Sequence, residues 1–318
     1  MSRTMSRGTD ISVIWFFLVC STTALVGCTV PPTSPSPNPN ANTKISRGSI
    51  SATASRFLDP ELSEPFEQFE FLSAFPSCLK RDEPALDLLI NTHVPELDVP
   101  IDNCIKPEPI IRRQSSVART ENARISLLDV GDIYLTQGKK RTGIPTRTFP
   151  DLLQVVDGVM YSAARRDGVE FLPRETYSVR TTGTDQVAPF EVVLDAPDDL
   201  GDVRVNGISP SEQTPLLQAG KPSVLTWEGE GWGDEVIVRL TWSSVGLSWV
   251  LQCRMRDDGQ FVIPGRLTRG MGREPAADDY EMTLSRVRQV SYLARGLHSG
   301  DFNFVVSTNF LVQFDASK

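Results

Sequence analysis

Apolar residues recur at every second position in one stretch after another of this chain, and this spacing constrains the fold most. Successive side chains of a β-strand point to opposite faces, so a two-residue period buries one face of a sheet. The clearest example is the segment 249–255, where one face would carry Trp249, Leu251, Cys253 and Met255. Turn residues follow at once in Asp257-Asp258-Gly259. Helical periodicity of any length is absent over residues 123–318, which predicts an all-β fold.

Short strands and closely spaced turns from about Ile125 onwards predict two consecutive antiparallel β-sandwich domains of the immunoglobulin or fibronectin-III type. We place the first sandwich over residues 123–200 and the second over residues 201–318. Residues 49–122 contain a proline every few positions. We therefore expect them to form a loop-rich N-terminal region that packs on the sandwiches.

The N-terminal 27 residues have the layout of a signal peptide rather than of a folded element. Arg3 and Arg7 give a positive start, and Arg7 alone would do so if translation began at Met5. The uncharged run that follows, residues 11–27, is shorter than the ~20 residues that a membrane-spanning helix needs. We therefore expect residues 1–27 to be removed from the mature protein.

This uncharged run ends in Leu25-Val26-Gly27-Cys28, which looks like the lipobox of bacterial lipoproteins. The resemblance implies signal cleavage between Gly27 and Cys28 and the attachment of acyl chains such as palmitate to Cys28. The alternative interpretation is a buried apolar helix that happens to end in a cysteine. Cys20 has no lipobox before it and would leave with the signal peptide.

Residues 28–48 are expected to form a tether behind the lipidated cysteine. Prolines interleave here with Thr, Ser and Asn, so the segment cannot bury apolar surface and should be extended and solvated. Thr29 stands where an Asp would mark retention in the inner membrane under the enterobacterial sorting code. Its identity favours the outer membrane, where acyl chains rather than charge would hold the protein.

The charge balance excludes some classes of partner. The chain carries 32 Lys plus Arg against 40 Asp plus Glu, a formal charge of −8. This argues against a nucleic-acid binder, which needs a basic face, and against electrostatic binding to anionic lipid. The partners we expect are the membrane, through the acyl anchor at Cys28, and an envelope protein or glycan.

Metal and cofactor chemistry finds few candidate residues, and we expect no cofactor. His93 and His298 are the only histidines and lack the spacing of a zinc site, so both are expected in solvated loops. Asp257 and Asp258 place two hard oxygen ligands at one turn and are the candidates for calcium, although the EF-hand spacing is missing. Residues 195–202 are also rich in Asp, and we expect them to form a solvated interdomain hinge.

Catalytic signatures are sparse as well. The sequence contains no G-x-S-x-G elbow, and its 40 acidic residues permit a carboxylate pair without singling one out. Trp232 lies in the glycine-rich stretch 229–233, where an exposed ring would stack on a sugar or a partner. The alternative is a ring folded back over the end of the sandwich. We expect Trp227, Trp242 and Trp249 to lie in the core.

Three cysteines are left once Cys20 is removed and Cys28 is lipidated. We predict a disulfide between Cys78 and Cys104, in the region that is poorest in regular structure and gains most from a cross-link. Cys253 alternates with apolar residues and is expected to pack in the sandwich as a small apolar side chain. A bridge from Cys253 to Cys78 or to Cys104, and two reduced loop thiols, are the alternatives.

Several segments resemble a group of Gram-negative lipoproteins with paired β-sandwich domains. They are DVGDIYL (129–135), PFEVVLDAP (189–197), Trp227 and VLQCRMRDDGQFVIP (250–264). That group has no assigned activity, so the resemblance implies fold and compartment only. We therefore expect a lipid-anchored envelope protein that is a non-catalytic binding or assembly module. The alternative is an enzyme that uses carboxylates on an envelope glycan.

Overall fold

The computed structural model describes residues 43–62, 64–83, 86, 99–109, 124–149, 156–230, 233–244, 247–271 and 280–315. Strands dominate these ranges. Numbered in chain order they are β1 (Lys44–Leu58), β2 (Phe66–Ala74), β3 (Pro76–Leu79), β4 (Asn103–Cys104), β5 (Glu108–Pro109), β6 (Ile125–Leu127), β7 (Ile133–Gln137), β8 (Lys140–Ile144), β9 (Thr146–Phe149), β10 (Val156–Ala164), β11 (Thr176–Thr181), β12 (Glu191–Asp195), β13 (Arg204–Val205), β14 (Leu216–Gln218), β15 (Ser223–Thr226), β16 (Glu235–Ser244), β17 (Leu247–Arg256), β18 (Gln260–Ile263), β19 (Tyr280–Tyr292) and β20 (Ser299–Asp315). A four-residue helix, α1 (Gly265–Thr268), and two 3₁₀ turns, Lys80–Asp82 and Arg165–Asp167, are also present.

One large sheet of thirteen strands makes the first and last strands neighbours. The order along the sheet is β2-β10-β6-β3-β1-β20-β19-β16-β17-β4, and three further strands pair with members of it: β5 with β17, β9 with β10 and β14 with β20. β1 runs parallel to β20, from Arg47 opposite Ser299 to Leu58 opposite Phe310. On its other side β1 pairs antiparallel with β2 and β3. The first strand of the described chain is therefore hydrogen-bonded along both flanks.

Two smaller sheets pack on the large sheet and enclose two apolar cores. The four-stranded sheet β12-β11-β7-β8 covers the first core, and the three-stranded sheet β13-β15-β18 covers the second. Phe304 of β20 contacts Tyr177 of β11 in the first core, with ring centroids 5.0 Å apart. Phe310 and Val312, further along β20, belong to the second core. The predicted all-β fold of sandwiched sheets is confirmed, and β20 serves both sandwiches.

The inward face predicted for β17 is confirmed, although Val250 and Gln252 on the opposite face are buried as well. Leu251, Cys253 and Met255 are buried on the face that meets the second core. Trp249 is half-buried at the end of this row and stacks on Trp242 of β16, with ring centroids 6.2 Å apart. The two-residue period of the sequence therefore identifies the inward face of this strand correctly.

Tyr177 ties the segment before β11 to the first sandwich. Its hydroxyl donates to the carbonyl oxygen of Glu170 at 2.8 Å and accepts from the amide of Leu172 at 2.9 Å. Nε2 of Gln137 donates to the same hydroxyl at 2.7 Å. Immunoglobulin-like sandwiches use a tyrosine bonded to upstream backbone in a similar way. Burial raises the pKa of Tyr177 to about 12.

The prediction of a loop-rich region over residues 49–122 is wrong for its first part. β1, β2 and β3 fill most of residues 44–79, and β1 lies in the interior of the large sheet. Pro60 and Pro65, which suggested loops, lie in the turn between β1 and β2, where a missing amide donor does not interrupt a ladder. Prolines therefore mark the ends of these strands rather than the absence of strands.

The predicted disulfide between Cys78 and Cys104 is also wrong. Cys104 is bonded to Cys253, and the two residues face each other in register between β4 and β17. Cys78 is buried on β3, opposite Ile45 of β1. Five strands separate β3 from β4 in the sheet, and at ~4.8 Å per strand this places Cys78 far beyond bonding distance of Cys104. The bridge forms instead between neighbouring strands at the other margin.

Candidate functional site

Two arginines lie in β19 at positions where the strand would be expected to bury apolar side chains. The inward face of β19 carries Met282 and Leu284 into the second core and Val290 against the first. Arg286 and Arg288 lie between them on the same face. The side chain of Arg286 is 0% exposed and that of Arg288 is 25% exposed. Because arginine is rarely buried unless it is paired, this row marks the candidate site.

Asp257, directly after β17, is the partner of Arg286. Oδ2 of Asp257 lies 2.7 Å from Nε of Arg286, and Nη2 of the same arginine donates to Oδ1 at 3.1 Å. Nε1 of Trp227 donates to that Oδ1 at 2.6 Å, and the amide of Glu230 donates to Oδ2 at 3.2 Å. Three hydrogen bonds and the close ion-pair contact with Nε of Arg286 therefore surround a carboxylate whose side chain is fully buried.

Arg288 forms a second, bidentate ion pair with Asp234. Nε donates to Oδ1 at 2.7 Å and Nη2 donates to Oδ2 at 2.6 Å. Nη2 also lies 3.1 Å from Oε1 of Glu230, so this guanidinium joins two carboxylates. The pair is partly buried, with the Asp234 side chain 4% exposed.

The two carboxylates bonded to Arg288 have pKa values that move in opposite directions. Burial raises the pKa of Asp234, and its bonds to Arg288 offset this rise only in part. Burial also acts to raise the pKa of Glu230, but the amide of Asp198 and the charge of Arg288 outweigh it, so the pKa is lowered. The Asp234 carboxylate in turn raises the pKa of Arg288. The two acids thus differ in how readily they take up a proton.

The same arginines bind the segment that joins the two sandwiches, residues 195–201, which we call the connector. Nη1 of Arg288 donates to the carbonyl oxygens of residues 195 and 196, at 3.2 and 3.3 Å. Nη1 of Arg286 donates to those of residues 198 and 199, at 2.9 and 2.6 Å. Arg56 of β1 donates to the carbonyl oxygen of Gly201 and, through Nε, to Thr308 at 3.0 Å.

The prediction that residues 195–202 form a solvated hinge is therefore wrong. Ala196 and Leu200 are fully buried, the first in the first core and the second in the second core. The backbone of residues 195–201 is fixed by arginine side chains on two strands of the large sheet, β1 and β19. These arginines and their carboxylate partners form a set that we call the arginine clamp: Arg56, Arg286, Arg288, Glu230, Asp234 and Asp257. The clamp replaces flexibility at this junction with directed hydrogen bonds.

The three carboxylates of the clamp have the proximity, but not the electrostatic surroundings, of a metal site. One oxygen of each lies within 4.8 Å of the others. The guanidinium groups of Arg286 and Arg288 are bonded to these oxygens and supply the compensating positive charge. A divalent cation would have to displace bonds at 2.6–2.7 Å. The arrangement is that of a structural ion-pair network.

The two calcium candidates are separated by their surroundings. Asp257 is 2% exposed and is engaged by Arg286 and Trp227. Asp258 is exposed and accepts the amide of Gln260 at 3.3 Å within the turn between β17 and β18. One carboxylate is buried and the other faces solvent, so the structure does not bring them together as ligands.

An open cleft, with a volume of about 270 Å³, lies beside the clamp. We call it the cleft. Its walls come from β1, β2, β20 and the segment that follows β10, and Asp199 of the connector also lines it. Its apolar lining includes Ala54, Phe69, Phe171 and Val306, and its charged lining includes Arg56, Glu67, Arg165, Glu170 and Asp199. Glu230 and Asp234, the acids with shifted pKa values, do not line it.

Several residues singled out from the sequence lie outside the described residues: Gly27, Cys28, His93 and Trp232. His298 is exposed as expected, and its Nδ1 accepts the amide of Ser46 at 3.1 Å. Within the described ranges, none of the helices is long and apolar enough to cross a membrane.

Sequence reasoning missed Arg286 and Arg288. The signal was present, since both occupy the inward parity of a strand whose neighbouring inward positions, Met282, Leu284 and Val290, are apolar. A charged residue at a core position of an alternating strand requires a buried partner. The partners could not be named from the sequence, because they come from the turn after β17, from residues 230–234 before β16 and from the connector.

Comparison with known proteins adds little. No family model and no curated protein matches this chain. Among solved structures, the yeast delta-COP-I mu-homology domain is similar over 84% of this chain and 97% of that domain, with 12% sequence identity and a TM-score of 0.23. A likeness this weak supports no argument about what the chain does.

Proposed function

We propose that this protein is a lipid-anchored protein of the cell envelope that acts as a non-catalytic binding or assembly module. Its anchor would be Cys28, at the end of the lipobox-like segment Leu25-Val26-Gly27-Cys28. The proline-rich tether over residues 28–48 would hold the folded part away from the bilayer. The outer membrane is the proposed destination, because Thr29 differs from the Asp of the inner-membrane retention signal.

The non-catalytic part of the proposal rests on one observation: the two carboxylates with shifted pKa values are engaged in ion pairs. Glu230 and Asp234 have their charges bonded to Arg288, and neither lines the cleft. A general acid or base must reach its substrate within hydrogen-bond distance. Acids with perturbed pKa values also arise in structural ion-pair networks, and the clamp has that character.

The alternative, a carboxylate-dependent enzyme acting on an envelope glycan, rests on the same two residues. Their pKa values move apart, which is how an acid and a base share one site in many enzymes. Incubating the purified protein with envelope glycan separates the two proposals. We expect no new fragments by mass spectrometry. Fragments that appear with the wild type and are lost in Glu230→Gln would establish the enzyme instead, provided that circular dichroism shows this variant to be folded.

Acylation is tested by a matched pair of cysteine variants. Mass spectrometry of the membrane-extracted wild type should show acyl chains on the peptide that begins with Cys28. Cys28→Ser should abolish acylation and either release the protein or leave its signal unprocessed. Cys20→Ser removes a cysteine from the same leader and should leave acylation unchanged. An unmodified, soluble wild-type protein would contradict the anchor.

The destination has its own test. Thr29→Asp should move the acylated protein from outer-membrane to inner-membrane fractions, whereas Thr29→Ser should not. Equal distribution of the two variants would remove the support that Thr29 gives to the outer membrane.

A further inference from the structure

We propose that the cleft and the adjoining β1–β2 hairpin bind a segment of a partner protein that carries both basic and apolar side chains. The inference deepens the proposed function and rests on it, since it names the class of partner that the binding module would take. Three features of the described residues support it. They are the negative charge of the hairpin, the hydrogen bonds and ion pairs made by the charged side chains that line the cleft, and the apolar surface beside those side chains.

The hairpin formed by β1 and β2 is acidic and contains no basic residue over a long stretch. Between Phe57 and Leu79 the sequence has no Lys or Arg, and its charged residues are Asp59, Glu61, Glu64, Glu67 and Glu70. Glu61, Glu64, Glu67 and Glu70 are exposed. A cluster of one sign of charge raises the local concentration of groups of the opposite sign. An anionic bilayer would be repelled by it, and a basic peptide attracted.

The charged groups of the cleft are not equivalent. Arg56 lies opposite Glu67 in the β1–β2 register, but its Nε and Nη2 donate to Thr308 and to the carbonyl of Gly201. These two hydrogen bonds are thus made to β20 and to the connector. Glu67 and Glu170 are exposed at the opening.

The ion pair that Glu170 makes with Lys140 can be exchanged. Nζ of Lys140 lies 3.4 Å from Oε1 of Glu170, and the two side chains are 50% and 55% exposed. An exposed pair of this kind contributes little free energy, so an arriving basic side chain can replace the lysine. Arg165 is the cationic side chain that stays exposed beside these acids.

Apolar surface lies next to these carboxylates. The rings of Phe69 and Phe171 line the cleft, with their centroids 6.3 Å apart. Leu172, the next residue in the chain, is 46% exposed, and Leu62 and Phe66 of the hairpin are 50% and 64% exposed. Exposed apolar groups beside charged ones are typical of protein-binding surfaces. A volume of about 270 Å³ admits a few side chains rather than a folded domain.

The test is calorimetric titration of the full, processed chain in a mild non-ionic detergent with an octapeptide amide of alternating Arg and Leu. We expect the double variant Glu67→Gln/Glu170→Gln to bind this peptide about fivefold more weakly, because it loses two exposed ion pairs. Glu212→Gln/Glu281→Gln removes the same charge from exposed positions that do not line the cleft, and should change the affinity by less than about twofold. Leu172→Ser should weaken binding a few-fold while leaving the charge intact.

The proposal is overturned if the wild-type chain fails to bind the Arg/Leu peptide at millimolar concentration, or if both double variants weaken binding equally. Tighter binding of the matched Glu/Leu octapeptide would reverse the assignment and point to Arg56 and Arg165 as the recognition groups. Mass spectrometry of the peptide and of Cys28 on the same samples keeps the proposals apart. A cleaved peptide or an unmodified Cys28 counts against the proposed function, whereas the affinity pattern alone decides the partner class.

Discussion

Nε of Arg286 lies 2.7 Å from Oδ2 of Asp257, and both side chains are completely buried where the two apolar cores meet. Charges of this kind are costly to desolvate and are retained only with near-complete hydrogen bonding. Here the arginine also donates to carbonyl oxygens of residues 198 and 199, and the aspartate also accepts from Trp227. The pair thereby joins β19, the turn after β17 and the connector at a single point.

Removing Arg286 should be strongly destabilising. We expect Arg286→Met to lower the free energy of unfolding by about 3–5 kcal/mol, because Asp257 is left buried without its countercharge. Arg204→Met is the matched control, since the Arg204–Asp202 pair is 41% and 49% exposed and should contribute less than about 1 kcal/mol. Denaturant unfolding followed by tryptophan fluorescence measures both. Equal losses in the two variants would show that burial of the Arg286 pair does not matter.

The disulfide should join Cys104 to Cys253. These residues are separated by 149 positions, and the chain-entropy model gives a stabilisation of about 5 kcal/mol for so long a loop, an upper bound for Cys104→Ser. A non-reducing peptide map should contain the Cys104–Cys253 pair, and it should be unchanged in Cys78→Ala. A linked Cys78–Cys104 peptide would contradict the structure.

Stability should fall at alkaline pH through Tyr177. Its pKa is raised from 10 to about 12, so folding favours the protonated hydroxyl. The resulting stabilisation, roughly 2–3 kcal/mol, is fully present below pH 10 and is lost as the pH rises from 10 to 12. Tyr177→Phe should remove this part of the alkaline transition and cost about 1–3 kcal/mol at neutral pH, since Leu172, Gln137 and Glu170 lose their partner.

Tyr134→Phe provides the comparison for Tyr177→Phe. Tyr134 is half-buried, with the guanidinium of Arg141 3.8 Å from its ring centroid, and Phe keeps that ring. Its stability at neutral pH should stay close to that of the wild type. An unchanged alkaline transition in Tyr177→Phe would mean that other groups cause it.

Gly158 should be intolerant of any side chain. It has φ of +112°, and a Cβ would lie 2.0 Å from the carbonyl oxygen of Leu127, its partner on β6. Gly158→Ala should therefore cost about 3 kcal/mol or more, since backbone must move. Gly168→Ala tests positive φ alone, because φ is +84° and nothing lies within 4 Å. It should cost about 1 kcal/mol by thermal unfolding. Similar losses at both glycines would refute the clash.

The sequence allowed the fold class to be predicted because a strand that places every second side chain in a core leaves a local pattern of apolar residues. Leu251, Cys253 and Met255 show it in seven consecutive residues, and the turn at Asp257–Gly259 closes the strand. β1 could not be recognised in the same way. Its inward residues Ile50, Ala52 and Ala54 do alternate with Ser and Thr, but two of the three are alanines, which are uncommon in strands, so the alternation is a weak signal. Its parallel partner also lies at the far end of the chain.

The clamp was unpredictable for a related reason. Arg286 and Asp257 are brought together by strand pairing through β16, and neither residue has a partner within a few positions in sequence. The prediction of the disulfide failed for the same reason. Cys104 lies on a two-residue strand, and its position opposite Cys253 of β17 is set by the tertiary fold rather than by neighbouring residues in the sequence. Local spacing identified Cys253 as inward-facing, which is correct, but an inward-facing cysteine can also be a bonded one.

The parallel pairing of β1 with β20 has a consequence for how the chain is made. β1 is synthesised before β20, and in the exported protein that we propose it also crosses the membrane first, so its second flank stays incomplete until nearly the whole of the described polypeptide has followed. At typical elongation rates that interval is on the order of tens of seconds. During it, β1 presents an unpaired edge that invites association with other chains. If translation stops before residue 299, the product lacks β20, the strand that both cores share. We therefore expect truncated copies to be degraded by proteases rather than to persist as functional fragments.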